Sequence, residues 1–395
     1  MSLHHNPRIV TDGLVLAYDM DNAAKSWKGK PTENLASSNF FDGNVNFTTD
    51  ETIQDTLPTG KTGDVRYLNA DYVVDPNRTG SIGSYTLTAG DTYTLSFYVK
   101  NINCTGFGGN LYSPTLTTSI GSITYPAVFT DRWTRVTKTF TIPTDTVSAG
   151  GNVVMSPQVF RDGGNGFFKL SMLQLEEGTF VTPFVNGTRS NTQALLDMSK
   201  SENTITATSL TYNSDGTFEF DNNNYLSLNT GITGSNFTVL MWHYNGASSF
   251  ATAGHRTFLS TNNLRFQWDD TPDRGPFVDF NSGSGGGQAN FGSSLTPANF
   301  LQKYTMVGLV GGSTVKTTFN GVTSGQSSTI SATRNFSSNG NVSIGIDNLS
   351  GIGGSDHINR EGSVVKMPLI QIYDRALTEA EIKQNFNATR GRFGI

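Results

Sequence analysis

Thr92-Tyr-Thr-Leu-Ser-Phe-Tyr-Val99 puts Tyr93, Leu95, Phe97 and Val99 on one face of an extended chain and Thr92, Thr94, Ser96 and Tyr98 on the other. A period of two is the mark of a strand with one face in a core. The pattern recurs outward in both directions. Upstream, Leu14-Val-Leu-Ala-Tyr18 lies between Asp12-Gly13 and Asp19. Downstream come the runs at 133–142, 153–155 and 167–175, then 217–220, 225–228, 237–244, 257–260, 264–268, 304–310, 315–319, 342–346 and 364–373. Gly, Asn, Asp and Ser clusters separate them, as in sandwiches and barrels. Asn320-Gly321 is the clearest hairpin signal. Pro368 confines its strand to an edge or a bulge.

Composition agrees. Charged residues are 15% of the 395, so Thr, Ser, Asn and 43 Gly supply the polarity, a mixture suited to strands and turns. One helix is expected near the end. Thr378 and Glu381 form a Thr-x-x-Glu capping box, and Ile382 and Phe386 follow on one face. Arg390 and Arg392 read as a basic helix end. The expected fold is all-β: two β-sandwich (jelly-roll) domains and a short C-terminal helix.

Several classes are disfavoured. With 27 Lys+Arg against 32 Asp+Glu, the net charge of −5 argues against nucleic-acid binding. No apolar run is long enough for membrane insertion. Met1-Ser-Leu-His-His-Asn-Pro-Arg8 lacks the apolar centre of a signal peptide, and the single Cys104 allows no internal disulfide. The expectation is a chain made in a reducing compartment. His4, His5, His243, His255 and His357 show no zinc spacing.

The opening Gly13-Leu-Val-Leu-Ala-Tyr-Asp19, with Ser26-Trp27 and Asn34-Leu35, resembles that of laminin-G/concanavalin A-like domains in virion proteins of tailed marine or cyanobacterial-type phages. The ending Ile370-Gln-Ile-Tyr-Asp-Arg-Ala-Leu-Thr-Glu-Ala-Glu-Ile382, with Asn385-Phe-Asn387 and Arg390-Gly-Arg-Phe-Gly394, is similar to the close of that domain. In between, the Trp133 strand and Leu173-Gln-Leu-Glu-Glu-Gly178 with Thr182-Pro-Phe184 resemble a carbohydrate-binding-module-like jelly roll of phage tail and fibre proteins. The resemblance implies a discontinuous laminin-G-like sandwich, residues 1–34 plus 188–395, with an inserted jelly roll at 35–187. It implies a virion structural protein made in the host cytoplasm: a capsid decoration, head fibre or tail-fibre component. Its partners would be other virion proteins, copies of itself (commonly a trimer) and a host-surface glycan. The alternatives are a receptor lectin of the tail fibre and, behind it, a polysaccharide depolymerase.

Catalytic residues are not evident. Glu219-Phe-Asp221 resembles part of a glucanase carboxylate pattern, but Asn224 stands where a further acid is needed. The expectation is therefore not an enzyme. Sugar-binding chemistry, an aromatic ring flanked by amides or carboxylates, points to Trp268 with Asp269 and Asp270, and to Tyr225 with Asn224. Trp133 and Trp242 are assigned to cores. The resemblance also admits a calcium ion, for which the loop acids Asp269, Asp273, Asp347 and Asp356 are candidates. No other cofactor is expected.

Overall fold

A computed structural model describes residues 8–20, 22, 25–36, 51–68, 80–81, 85–113, 116, 120, 122–124, 132–145, 147–212, 218–220, 224–249, 255–269, 275–280, 288–292, 295–324, 327–329, 335–347, 358 and 364–395. The chain divides into two compact units, Met1–Lys30 with Ser190–Ile395, and Pro31–Arg189.

The larger unit is built from two antiparallel sheets. The first runs Leu14–Asp19, Val365–Tyr373, Thr238–Asn245, Tyr304–Val310, Thr314–Phe319, Val322–Thr323, with Ser328–Thr329 also on Thr314–Phe319. The second runs Thr206–Thr208, Tyr225–Asn229, Asn341–Ile344, His255–Ser260, Leu264–Asp269, Pro276–Phe280, Gln288–Asn290. The opening strand thus lies beside the last, with Tyr18 opposite Ile370 and Leu14 opposite Tyr373. Two residues, Met367 and Pro368, face the single His243 where Trp242 pairs Leu369 and Tyr244 pairs Lys366. Pro368 therefore sits in a bulge, where its missing N–H leaves no gap in the ladder.

Register explains how the second sheet gets two unlike faces. Ala207, Leu226, Ile344, Leu259, Phe266, Val278 and Ala289 stand opposite one another across all seven strands, and all are in the core between the sheets. One residue away, Thr206, Ser227, Ser343, Ser260, Arg265, Asp279 and Gln288 form a second transverse row. Because neighbours along a strand point oppositely, that entire row lies on the outer face. The face is polar by construction.

The first sheet carries apolar clusters on both faces. Leu240, Trp242, Met306, Leu369 and Tyr373 form its outer core with Ile382 and Phe386 of the helix Glu379–Thr389. The Trp242 indole stacks on Phe386 and Phe393, with centroids 5.7 and 4.3 Å away, and its N–H donates to Thr389 Oγ1 at 2.8 Å. The capping box forms as the sequence indicates: Thr378 N donates to Glu381 Oε2 at 2.8 Å and Glu381 N to Thr378 Oγ1 at 3.3 Å. Arg375 clamps the same glutamate through two bonds of 2.7 and 3.1 Å and holds its carboxyl near 2, well below the usual range. At the hairpin, Asn320 and Gly321 both have positive φ, as a type I′ turn requires. A Cβ on Gly321 would come within 3.1 Å of the Phe386 ring, so glycine also lets the helix approach.

These end motifs fasten the opening segment. Asn385 Oδ1 accepts from Val10 N at 2.7 Å, its amide donates to Tyr373 Oη at 2.9 Å, and Tyr373 donates to Val10 O at 3.0 Å. Arg392 is exposed at the helix end, as its position suggests, and is also paired. It makes two bonds of 2.7 Å to Asp19, across 373 residues.

The smaller unit is dominated by two paired strands, Thr92–Tyr112 and Asn152–Glu177, of 21 and 26 residues. The glycines at 106–109 and 163–166, which look like turn punctuation, lie within this pairing, and Gly164 stands opposite Cys104. The sheet continues through Thr62–Leu68 to Glu51–Thr56, with Thr134–Thr141 on the other long strand. Tyr93, Leu95, Phe97 and Val99 are all buried, in one cluster with Val136, Phe140, Leu173 and Leu175. Trp133 is only half-buried, and its indole donates to Thr56 O at 2.9 Å.

The Gln174-Leu-Glu176 and Thr182-Pro183 motif is a buried polar clasp. Thr182 N donates to Glu176 Oε1 and its hydroxyl to Oε2, both at 2.8 Å, while Gln174 accepts from Val185 N and donates to Glu176. Arg135 and Arg189 bind the carbonyls of Thr182 and Pro183 at 2.6 Å. The segment 178–185 is thereby laid across the sheet's polar face, where Thr94 and Thr139 also bind its carbonyls.

Candidate functional site

The outer face of the second sheet in the larger unit is the candidate site. Its strands are short and β-branched or serine-rich, so alternation delivers hydroxyl and amide groups outward without interrupting the apolar row beneath. A groove of about 420 Å³ lies on this face, lined by Thr204, Thr206, Tyr225, Ser227, Asn229, Asn341 and Ser343, with no charged side chain among its described walls. Asn229 is held in place: its amide donates to Asn341 Oδ1 at 2.8 Å and to Asn339 O at 3.0 Å, and its oxygen accepts from Gly231 N at 2.8 Å. The Ser343 hydroxyl is buried and has no hydrogen-bond partner among the described residues. An aromatic side chain, hydroxyls and fixed amides around a groove without charged walls suit an uncharged polyhydroxyl ligand.

Further along the same row the face becomes charged and closed. Arg265 contacts Asp279 and Asp347, each at 3.3 Å, and Gln267 donates to Asp279 at 2.8 Å. All four side chains are buried. Charges taken out of water must be compensated locally, and the two carboxylates compensate the guanidinium.

Of the residues marked from sequence, Tyr225 lines the groove. Its neighbour Asn224 does not; it is fully buried and donates to the Glu219 carbonyl at 3.3 Å. Trp268 is not a sugar platform. It is 1% exposed and stacks on Phe300 with centroids 4.1 Å apart, inside the core. Asp347 is not a free metal ligand, because its carboxylate is committed to Arg265. Asp269 ends the strand Leu264–Asp269, but its side chain lies outside what the structure describes, as do Asp221, Asp270, Asp273 and Asp356 entirely. Among the described residues, no group of three His, Cys, Asp or Glu side chains is arranged to hold a metal ion.

One interior feature escapes a search for motifs. His243 is fully buried and stacks flat on Phe300 at 4.3 Å, on the side of a pillar that continues to Trp268, with Phe258 edge-on at 5.2 Å. Neither ring nitrogen has a partner among the described residues, and burial lowers its pKa to about 3. The ring is neutral and structural. No helix of the described residues is long and apolar enough to cross a membrane.

The strand order, with both chain ends in one sandwich, frames the comparison with known proteins. Residues 215–383 match the concanavalin A-like lectin/glucanases superfamily. The larger unit therefore carries a concanavalin A-like domain, and its polar sheet lies within the matched span from Tyr225 onward. Solved structures that resemble the chain include the receptor-binding domain of botulinum neurotoxin C/D mosaic serotype, at 11% identity and a TM-score of 0.38, covering 50% of this chain and 49% of that one. Another is the binding domain of botulinum neurotoxin DC in complex with rat synaptotagmin II, at 13% identity and a TM-score of 0.39, covering 50% of each chain. A third is the botulinum neurotoxin serotype D ligand-binding domain in complex with N-acetylneuraminic acid, at 11% identity and a TM-score of 0.37, covering 50% and 49%. The chain spans about half the length of these structures. No curated protein sequence matches it.

Proposed function

We propose that this chain is a non-enzymatic glycan-binding protein displayed on a phage particle, whose concanavalin A-like unit contacts host-surface sugar through the Tyr225 groove. The groove carries this reading: it joins an aromatic side chain to Ser, Thr and Asn groups, with no charged side chain among its described walls. The absence of turnover is supported by Asn224, which stands where a glucanase-like pattern needs an acid and is buried as a ligand of the Glu219 carbonyl. The virion role rests on the resemblance of the opening and closing segments to those of phage structural proteins. A capsid decoration, head fibre or tail-fibre component would meet other virion proteins and copies of itself.

The test is a glycan array probed with the wild-type protein and Tyr225→Ala. Saturable binding to neutral glycans that falls about tenfold or more in the variant, at unchanged thermal stability, supports the groove. Equal binding by both proteins excludes it. Release of reducing ends from a bound polysaccharide would establish an enzyme instead. The virion role is tested separately, by recovery of the chain's mass from purified particles.

A further inference from the structure

A second pocket, of about 220 Å³, lies in the larger unit on the outer face of the other sheet. Its floor is the pair Ala17 and Gln371, opposite one another in register, and Leu369 beside them. Ile9 and Met198 form apolar walls, and the pocket reaches Arg392 beyond the helix end. Gln371 is 2% exposed and makes no side-chain hydrogen bond with the described residues. Its carboxamide is not cut off from the pocket, and it offers two donors and an acceptor to whatever fills it. The small Ala17 side chain opposite leaves space above it.

These features specify the chemistry of an occupant. Asp19 and Arg392 satisfy each other through two bonds of 2.7 Å, so the mouth presents a neutralised pair and favours an uncharged ligand. The complement of a lone carboxamide is another amide, which donates and accepts at once. Ile9, Leu369 and Met198 beside it would shelter a methyl group. We infer that this pocket takes the acetamido group of an N-acetylhexosamine, with the sugar ring directed toward the Asp19–Arg392 pair. The site is distinct from the Tyr225 groove, which lies on the opposite sheet.

The experiment is saturation-transfer NMR on the full chain with N-acetylglucosamine, glucose and N-acetylalanine methylamide as probes. The expected result is binding of N-acetylglucosamine with the strongest transfer at its acetyl methyl, and weaker transfer to glucose. Titrations should show affinity for N-acetylglucosamine reduced about tenfold in Gln371→Leu. Ala17→Leu, which fills the pocket, should reduce it at least as much. Transfer spread evenly over the ring protons, or loss of binding in Tyr225→Ala alone, would overturn the assignment while leaving the groove intact. Binding of the methylamide without the sugar would overturn the glycan source. Absence of transfer to the wild-type protein would overturn the site itself, whatever the variants do.

Discussion

His243 makes the larger unit sensitive to acid in a way that can be calculated. Its ring is buried against Phe300 and Phe258, has no hydrogen-bond partner among the described residues, and burial lowers its pKa to about 3 from its ordinary 6.5. Above pH 6.5 the ring is neutral in both folded and unfolded chains and contributes no pH dependence. Between 6.5 and 3 only the unfolded chain takes up the proton, so stability falls as pH falls, by about 1.4 kcal/mol per unit. From pH 7.5 to 4.5 this group alone should remove about 2.7 kcal/mol. His243→Phe keeps an aromatic ring in the stack and deletes the titration. Urea unfolding of both proteins at the two pH values, followed by tryptophan fluorescence, measures the difference. Every carboxylate contributes equally to the two proteins, so the difference between their pH responses isolates His243. The variant should lose about 2–3 kcal/mol less than the wild type on acidification, and it should be at least as stable at pH 7.5, because two unpartnered nitrogens are gone. Equal acid losses in the two proteins would refute the burial argument.

Three further outcomes follow from the packing. Trp268→Ala should cost about 3–5 kcal/mol in denaturant unfolding, as expected for an emptied core site, and should weaken glycan binding only to the extent that the unit unfolds. Glu176→Ala should destabilise the smaller unit by about 3–5 kcal/mol and expose residues 178–185 to limited proteolysis, since Arg135 and Arg189 would lose their buried counter-charge. Asn385→Ala should cost about 1–3 kcal/mol and speed amide exchange at Val10, whose N–H that side chain accepts.

Much of the fold was legible because alternation is a local signal. Thr92–Val99 announces its buried face, and Thr378 with Glu381 announces its helix. The same rule already contains the correction to Trp268. In Leu264-Arg-Phe-Gln-Trp268 the tryptophan shares parity with Leu264 and Phe266, both in the core, whereas the adjacent Asp269-Asp270 suggested a loop site. Parity likewise separates Tyr225, which lines the groove, from the buried Asn224. The partners of Asp347 and Asp19 were not legible. Arg265 lies 82 residues away from one and Arg392 lies 373 away from the other, and only strand order brings them together. The polar row is a consequence of registers between seven strands, which no single segment encodes.

Each unit has a sheet with a polar face, and the two faces differ in what occupies them. In the smaller unit, Thr94, Ser96, Arg135, Thr139, Gln174 and Glu176 would form an attractive site for a hydrogen-bonding ligand if they were open. They are instead consumed by the chain's own segment 178–185, whose amides and carbonyls take the places of ligand groups. A soluble ligand would have to displace an intramolecular competitor held at high effective concentration. In the concanavalin A-like unit, one end of the polar row is closed by the Arg265 pairs, while the end at Thr206, Tyr225 and Ser227 faces a groove. That end differs from the clasp in the smaller unit: Asn229 and Asn341 are fixed by bonds within the protein, but the Ser343 hydroxyl has no partner among the described residues and no segment of the chain is laid across it by hydrogen bonds to that row.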